Sequence, residues 1–227
     1  MKYFIVEDSL DEKVVGKDFP QAYKFIKGYN PDAPNMLFSI YKYRKSFPDY
    51  IPDLDGIMLS GSAKLTNIVS NGFSPFFFII DERVKQLLEQ YKLCPHRFYP
   101  LGLYKRKVKY NCFLLYIVSN YIDYVDCAKT SFIEYNIASG KKFGDVFIKS
   151  KDELFQKRDE IKKEKGYTQT IWGNRIVMND QFDSELDFFT ITRIDGRQYI
   201  SERLKNAIEA NGLTGWVFTP ATNLVVE

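Results

Sequence analysis

Two apolar stretches repeat at helical spacing. Val84, Leu87, Leu88 and Tyr91 fall at i, i+3, i+4 and i+7, and Leu204, Ala207 and Ile208 redraw that stripe further on. Asp81 and Ser201 precede them as N-caps, their side-chain oxygens placed to accept the free amides of a first turn. Asn211-Gly212 stops the second helix with a residue that tolerates positive φ, and Cys94-Pro95 stops the first because proline cannot continue it. Sheet-like runs flank both: residues 76–80 and 97–103 around the first, residues 198–200 and 216–218 around the second. The pattern therefore predicts two strand-helix-strand units, with Val84, Leu87, Leu88, Leu204, Ala207 and Ile208 buried.

The units are also related in sequence. At a constant offset of 120, residues 80–100 align without a gap to residues 200–220, and eight of the 21 positions are identical. The pairs are Ile80/Ile200, Glu82/Glu202, Arg83/Arg203, Lys85/Lys205, Glu89/Glu209, Leu93/Leu213, Phe98/Phe218 and Pro100/Pro220. A period this long fits a duplicated lobe, since solenoid repeats recur every ~20–50 residues.

Elsewhere the pattern predicts strands at 1–6, 108–118, 124–135, 171–178 and 188–193, with Lys105-Arg106-Lys107 as a hairpin tip and Asp195-Gly196 as a hairpin turn. Asp18 is placed to cap a short helix that holds Pro20 and ends at Gly28. The proline-rich stretch 30–56 is expected to run over the surface. Ser150-Lys151-Asp152-Glu153 is a capping box opening a charged helix that stops at Gly166. Strands and helices mix without βαβ alternation, so the expected fold is α+β, mainly antiparallel sheet with helices packed on it. A single compact chain over 1–227 is expected, with lobes 1–140 and 141–227 holding units 76–103 and 187–220.

Composition narrows the function. At 227 residues, 45% hydrophobic and 27% charged, the chain can build a core without a staple, and 19 Phe and 16 Tyr favour sheet. No apolar run approaches the roughly 20 residues of a membrane-spanning helix. The opening Met1-Lys2-Tyr3-Phe4-Ile5-Val6-Glu7-Asp8 turns acidic too soon for a signal peptide. Cys94, Cys112 and Cys127 are odd in number with no CxxC pair, which fits reduced, buried thiols in the cytoplasm.

Candidate chemistry is sparse. His96 is the only imidazole, and with Cys94 it makes two metal ligands where zinc needs three or four. Ser60-Gly61-Ser62-Ala63-Lys64 lacks the glycine and lysine order of a phosphate loop and reads as a turn between strand and helix. Neither a catalytic set nor a cofactor is expected.

Charge is uneven although the net is only +3. No acid lies between Gln90 and Ile122, which hold Lys92, Arg97, Lys105, Arg106, Lys107 and Lys109; no base lies between Ile176 and Thr192, which hold Asp180, Asp183, Glu185 and Asp187. Each stretch reads first as a solvated turn; the alternative is a pair of oppositely charged surfaces that steer a partner. The candidate contact residues are Lys105, Arg106, Lys107, Asp183 and Glu185. Tyr104 and Tyr110 beside the basic triplet leave nucleic-acid binding by segment 92–109 as an alternative, and a small enzyme of unfamiliar type as another.

The second unit carries a resemblance. Ile200-Ser201-Glu202-Arg203-Leu204-Lys205, Ala207-Ile208-Glu209 and Gly212-Leu213-Thr214-Gly215-Trp216-Val217-Phe218 resemble the closing signature of a bacterial polymorphic-toxin immunity family, number eleven of the immunity series. His96-Arg97-Phe98-Tyr99-Pro100 resembles its central motif. The resemblance implies a cytoplasmic, non-enzymatic protein that binds and neutralises a cognate secreted toxin domain. It implies no catalytic residue and no cofactor. A charge of +3 departs from the strongly acidic immunity proteins that meet nucleases, and leaves the toxin's activity open.

Overall fold

In the computed structural model, which describes residues 1–43, 46–118 and 121–226, the unbroken apolar runs form the middle of a sheet buried on both faces. In chain order β1 (Tyr3–Asp8), α1 (Glu12–Val15), β2 (Ala22–Phe25) and a 3-10 helix (Leu37–Tyr43) lead into β3 (Asp55–Leu59), β4 (Ile68–Val69) and β5 (Phe77–Ile80). Next come α2 (Glu82–Leu88), β6 (His96–Lys105), β7 (Val108–Ile117), a 3-10 turn (Tyr121–Tyr124), β8 (Ser131–Asn136) and β9 (Lys142–Val146). The last third holds α3 (Lys151–Lys165), β10 (Gln169–Val177), β11 (Phe188–Thr190), β12 (Gln198–Ser201), α4 (Glu202–Ala210), β13 (Trp216–Pro220) and β14 (Leu224–Val225).

Three sheets result, with strand orders β2-β3-β6-β7-β5-β4, β11-β12-β1-β13 and β14-β10-β8-β9. Pairing is antiparallel except for β3 with β6 and β10 with β14, so the fold is α+β as the pattern predicts. The period-2 alternation of strands divides the six-stranded sheet between two cores. Phe77, Ile79, Leu114 and Tyr116 point to a core closed by Leu37 and Ile40 of the first 3-10 helix. Phe78, Ile80, Leu115 and Ile117 point to the larger core, shared with α2, α4 and the four-stranded sheet.

The two helices occupy corresponding places. β5 and β6 both lie antiparallel to β7, and β12 and β13 both lie antiparallel to β1. Ile80 and Pro100 stand opposite Phe113; Ile200 and Pro220 stand opposite Phe4. Asp81 caps α2 by accepting from the Val84 amide at 2.9 Å, and Ser201 caps α4 through the Leu204 amide at 3.2 Å. Each cap is held by the residue 14 positions before it, Asn67 in one case (2.7 Å) and Asp187 in the other (2.5 Å). Lys85 lies 5.2 Å from the Phe113 ring and bonds Glu89; Lys205 lies 5.1 Å from the Phe4 ring and bonds Glu209. Contacts between the segments are exchanged as well. Arg83 donates to the Asn211 carbonyl while Arg203 lies over Tyr91, and Ile68 bonds Thr214 while Cys94 bonds Phe188. Of the six helix residues expected in the core, Val84, Leu88, Leu204 and Ile208 are fully buried and Leu87 and Ala207 partly so.

Several local expectations are corrected. Residues 22–25 form an edge strand against β3, because Ala22 faces inward and Tyr23 and Lys24 outward; Asp18 accepts from the Ser62 amide and caps no helix. The capped helix there is α1, with Asp11 as its cap. Stretch 30–56 is not all surface, since Leu37, Ile40 and Leu54 are buried. The run 124–135 is broken by an Asp126 turn, whose carboxylate takes the Ala128 and Lys129 amides, before β8 begins. The turn at Ser60-Gly61-Ser62-Ala63-Lys64 leads to β4, not to a helix.

One carboxyl predicts a pH dependence. Burial at the end of β1 pushes the Asp8 carboxyl up to about 6 from 3.8. A group whose folded pKa is raised favours the fold below its unfolded pKa, and that contribution is lost as pH rises through about 6. Urea denaturation should therefore show Asp8→Asn more stable than the natural chain by about 1–3 kcal/mol at pH 7, with the difference gone near pH 4. An equal gain at both pH values would dispose of this account.

Candidate functional site

The reactive side chains are built into structure. All three cysteines are free and buried, and burial pushes the thiols of Cys94 and Cys112 up to about 12 and raises that of Cys127. Thiols in that state are poor nucleophiles near neutral pH. His96 Nδ1–H donates to the Cys94 carbonyl at 2.9 Å, and its ring meets Phe98 edge-on. Among the described residues no three of His, Cys, Asp and Glu gather as a metal site. Nor is any helix there long and apolar enough to cross a membrane.

One open cleft of about 490 Å³ lies between the stretch at Phe47 and the turn that carries Tyr121 and Tyr124. Its charged groups are engaged. Arg97 donates to the Pro48 carbonyl at 2.7 Å and lies 4.9 Å from the Phe47 ring, while Asp123 is bonded to Lys151. An aromatic wall with one arginine and one carboxylate, each already partnered, suits contact with another molecule.

The charged stretches singled out by sequence lie in two places. Lys105, Arg106 and Lys107 form the tip of the β6–β7 hairpin, with Arg106 at φ 57. Lys105 turns back to the Ala63 carbonyl (2.6 Å), and nearby Lys109 pairs with Asp55 at 2.7 Å, so Arg106 and Lys107 are the exposed cations of the tip. Asp183 and Glu185 sit in the loop before β11, which Tyr3 fastens by donating to the carbonyls of Ser184 and Leu186. Lys92 pairs with Asp183 at 2.5 Å, and that bond holds the Asp183 carboxyl below its usual range. Arg203 forks onto the buried Asp187 at 2.6 and 2.7 Å. The basic and acidic stretches thus meet each other at Lys92 and Asp183.

A further pair escaped sequence reasoning. Arg158 on α3 donates to the Ile171 carbonyl of β10 at 3.3 Å, and Arg193, before β12, lies 6.0 Å from the ring of Phe155, one turn before Arg158 on the helix. The Gly173 amide of β10 bonds the Ile194 carbonyl (2.8 Å), which ties that segment to the strand. Neither arginine makes an ion pair among the described residues. Arg158 could have been suspected from its place four residues after the buried Leu154; nothing in the sequence marks Arg193.

Comparison with known proteins places these features. None of the curated proteins matches the chain. The model of the Imm11 immunity protein family matches residues 28–223, nearly the whole length and both helix units. The chain belongs to the Imm11 immunity protein family.

Proposed function

We propose that this protein protects a bacterial cell from a cognate toxin domain by binding it in the cytoplasm, with no catalysis of its own. The observation that carries the reading is the family match over residues 28–223. Partnered carboxylates, buried thiols and a structurally engaged His96 fit a binding role. A contact of this kind needs a rigid frame and a patch burying about 1,200–2,000 Å² in all. The exposed cations Arg106 and Lys107, together with Lys105 and the Asp183 and Glu185 loop, remain candidate contacts. The frame itself reads as two copies of one unit, supported by the offset of 120 and the shared strand register.

Nucleic-acid binding draws less support. It needs a continuous basic track, whereas Lys92 and Lys109 are ion-paired and Lys105 is turned onto the backbone.

The test is co-expression with the C-terminal domain of a large secreted protein encoded immediately upstream. Growth should be restored, and the two chains should co-elute at micromolar concentration. A toxin domain that still kills, with no complex formed, would refute the proposal.

A further inference from the structure

Arg158 and Arg193 are placed at a cost to the free protein. The Arg158 side chain is partly buried, and burial with the neighbouring charge of Arg193 lowers its pKa to about 10. Arg193 holds φ at 84, the left-handed region that a branched-chain or long side chain rarely adopts. Asp159, next to Arg158 on α3, offsets that repulsion less than Arg193 imposes it, and the buried Asp195 carboxylate is engaged elsewhere, accepting a fork from Arg197 at 2.6–2.9 Å and bonded to Tyr199. Two like charges, one of them desolvated and the other on a strained backbone, persist where the surroundings hold them for a purpose.

We propose that the Arg158–Arg193 pair, braced by Phe155 between α3 and the segment before β12, is the receptor for an acidic side chain of the toxin domain. The proposal rests on the immunity reading and adds to it the chemistry of the contact. A guanidinium offers a planar fork of donors that matches a carboxylate, and a second one completes its neutralisation. Arginine is also among the residues that dominate binding energy at interfaces, as are aromatic rings. Two rings stand out at the ends of the same helix. Phe147 is 86% exposed, with its carbonyl bonded by Lys157, and Tyr167 is 81% exposed, with Lys162 4.4 Å from its ring.

The experiment is calorimetric titration of the full chain with the neighbouring gene's C-terminal toxin domain, alongside thermal melting of the free protein. Arg158→Gln/Arg193→Gln should weaken binding about 30-fold or more. Its melting temperature should match or exceed that of the natural chain, because a repulsion has been removed. Arg193→Gly should melt higher as the backbone relaxes, and still bind more weakly. Arg158→Lys/Arg193→Lys should recover only part of the affinity, since lysine lacks the fork. If the natural chain binds tightly and the glutamine variant binds within threefold of it, the inference is wrong and the immunity reading stands. A melting temperature that falls along with affinity would assign the pair a structural role and overturn it. Binding of inorganic phosphate at the pair, with toxin affinity unmoved by phosphate, would make it a small-anion site and overturn it too. If the natural chain itself fails to bind the toxin domain, both readings fall together.

Discussion

Gly215→Ala should remove most of the protein's stability, with a loss of about 4 kcal/mol or more in urea denaturation, or no cooperative transition at all. The reason is contact more than conformation. A Cβ at this position would stand 1.9 Å from the Ile68 carbonyl oxygen, a backbone atom that cannot swing aside, and φ is already 119. The segment is pinned on two sides, the Gly215 carbonyl accepting from the Ser9 amide and the Thr214 carbonyl accepting from the Ile68 amide. Making room would pull β4 and the end of β1 away together. Gly212→Ala separates the two causes. Gly212 also has positive φ, at 61, but nothing lies within 4 Å of its would-be Cβ. It should cost only about 1 kcal/mol, the usual charge for a left-handed alanine. If the two substitutions cost the same, close approach to Ile68 is not what requires the glycine.

Asp187→Ala should cost about 3 kcal/mol. The Asp187 carboxylate is fully buried and collects four donors from three residues on two segments: the Ser201 hydroxyl, two nitrogens of Arg203 and the Lys92 amide. Removing it orphans the cap of α4 and the Lys92 amide. Arg203 loses less, because about half of its side chain is open to water. Asn67→Ala is the matching change in the other unit, where the side-chain amide bonds Asp81 and accepts from Thr214. No full charge is taken from a buried site there, so a smaller loss of about 1–2 kcal/mol is expected. Equal losses at both positions would mean that the charge on Asp187 contributes nothing beyond its hydrogen bonds.

What sequence reasoning could see was local. N-caps at Asp81, Ser201 and Ser150 and stops at Gly166 and Gly212 are written within a few residues of each helix end, and each helix forms where they direct. Unbroken apolar runs likewise announce strands covered on both faces. Partnership across the chain is not written locally. Nothing in residues 22–25 says that they will pair with β3, and a four-residue alternation competes poorly with a proline and a nearby cap signal. The opposed charge stretches were visible, but their meeting at Lys92 and Asp183 depends on how two distant segments pack. The arginine pair was invisible for the same reason: its members lie 35 positions apart and are joined only through Phe155 and β10.

The place of β1 bears on how the protein is made. β1 is made long before either of its neighbours, which begin at Gln198 and Trp216, and it lies between them in its sheet. For most of synthesis that strand has neither edge satisfied, and its apolar residues Phe4, Ile5 and Val6 are exposed to other nascent chains or to chaperones. The six-stranded sheet draws only on residues 22–117 and can assemble well before. The sheet that holds β1 therefore joins the most distant parts of the chain, and its slow, long-range closure is where aggregation during expression should concentrate.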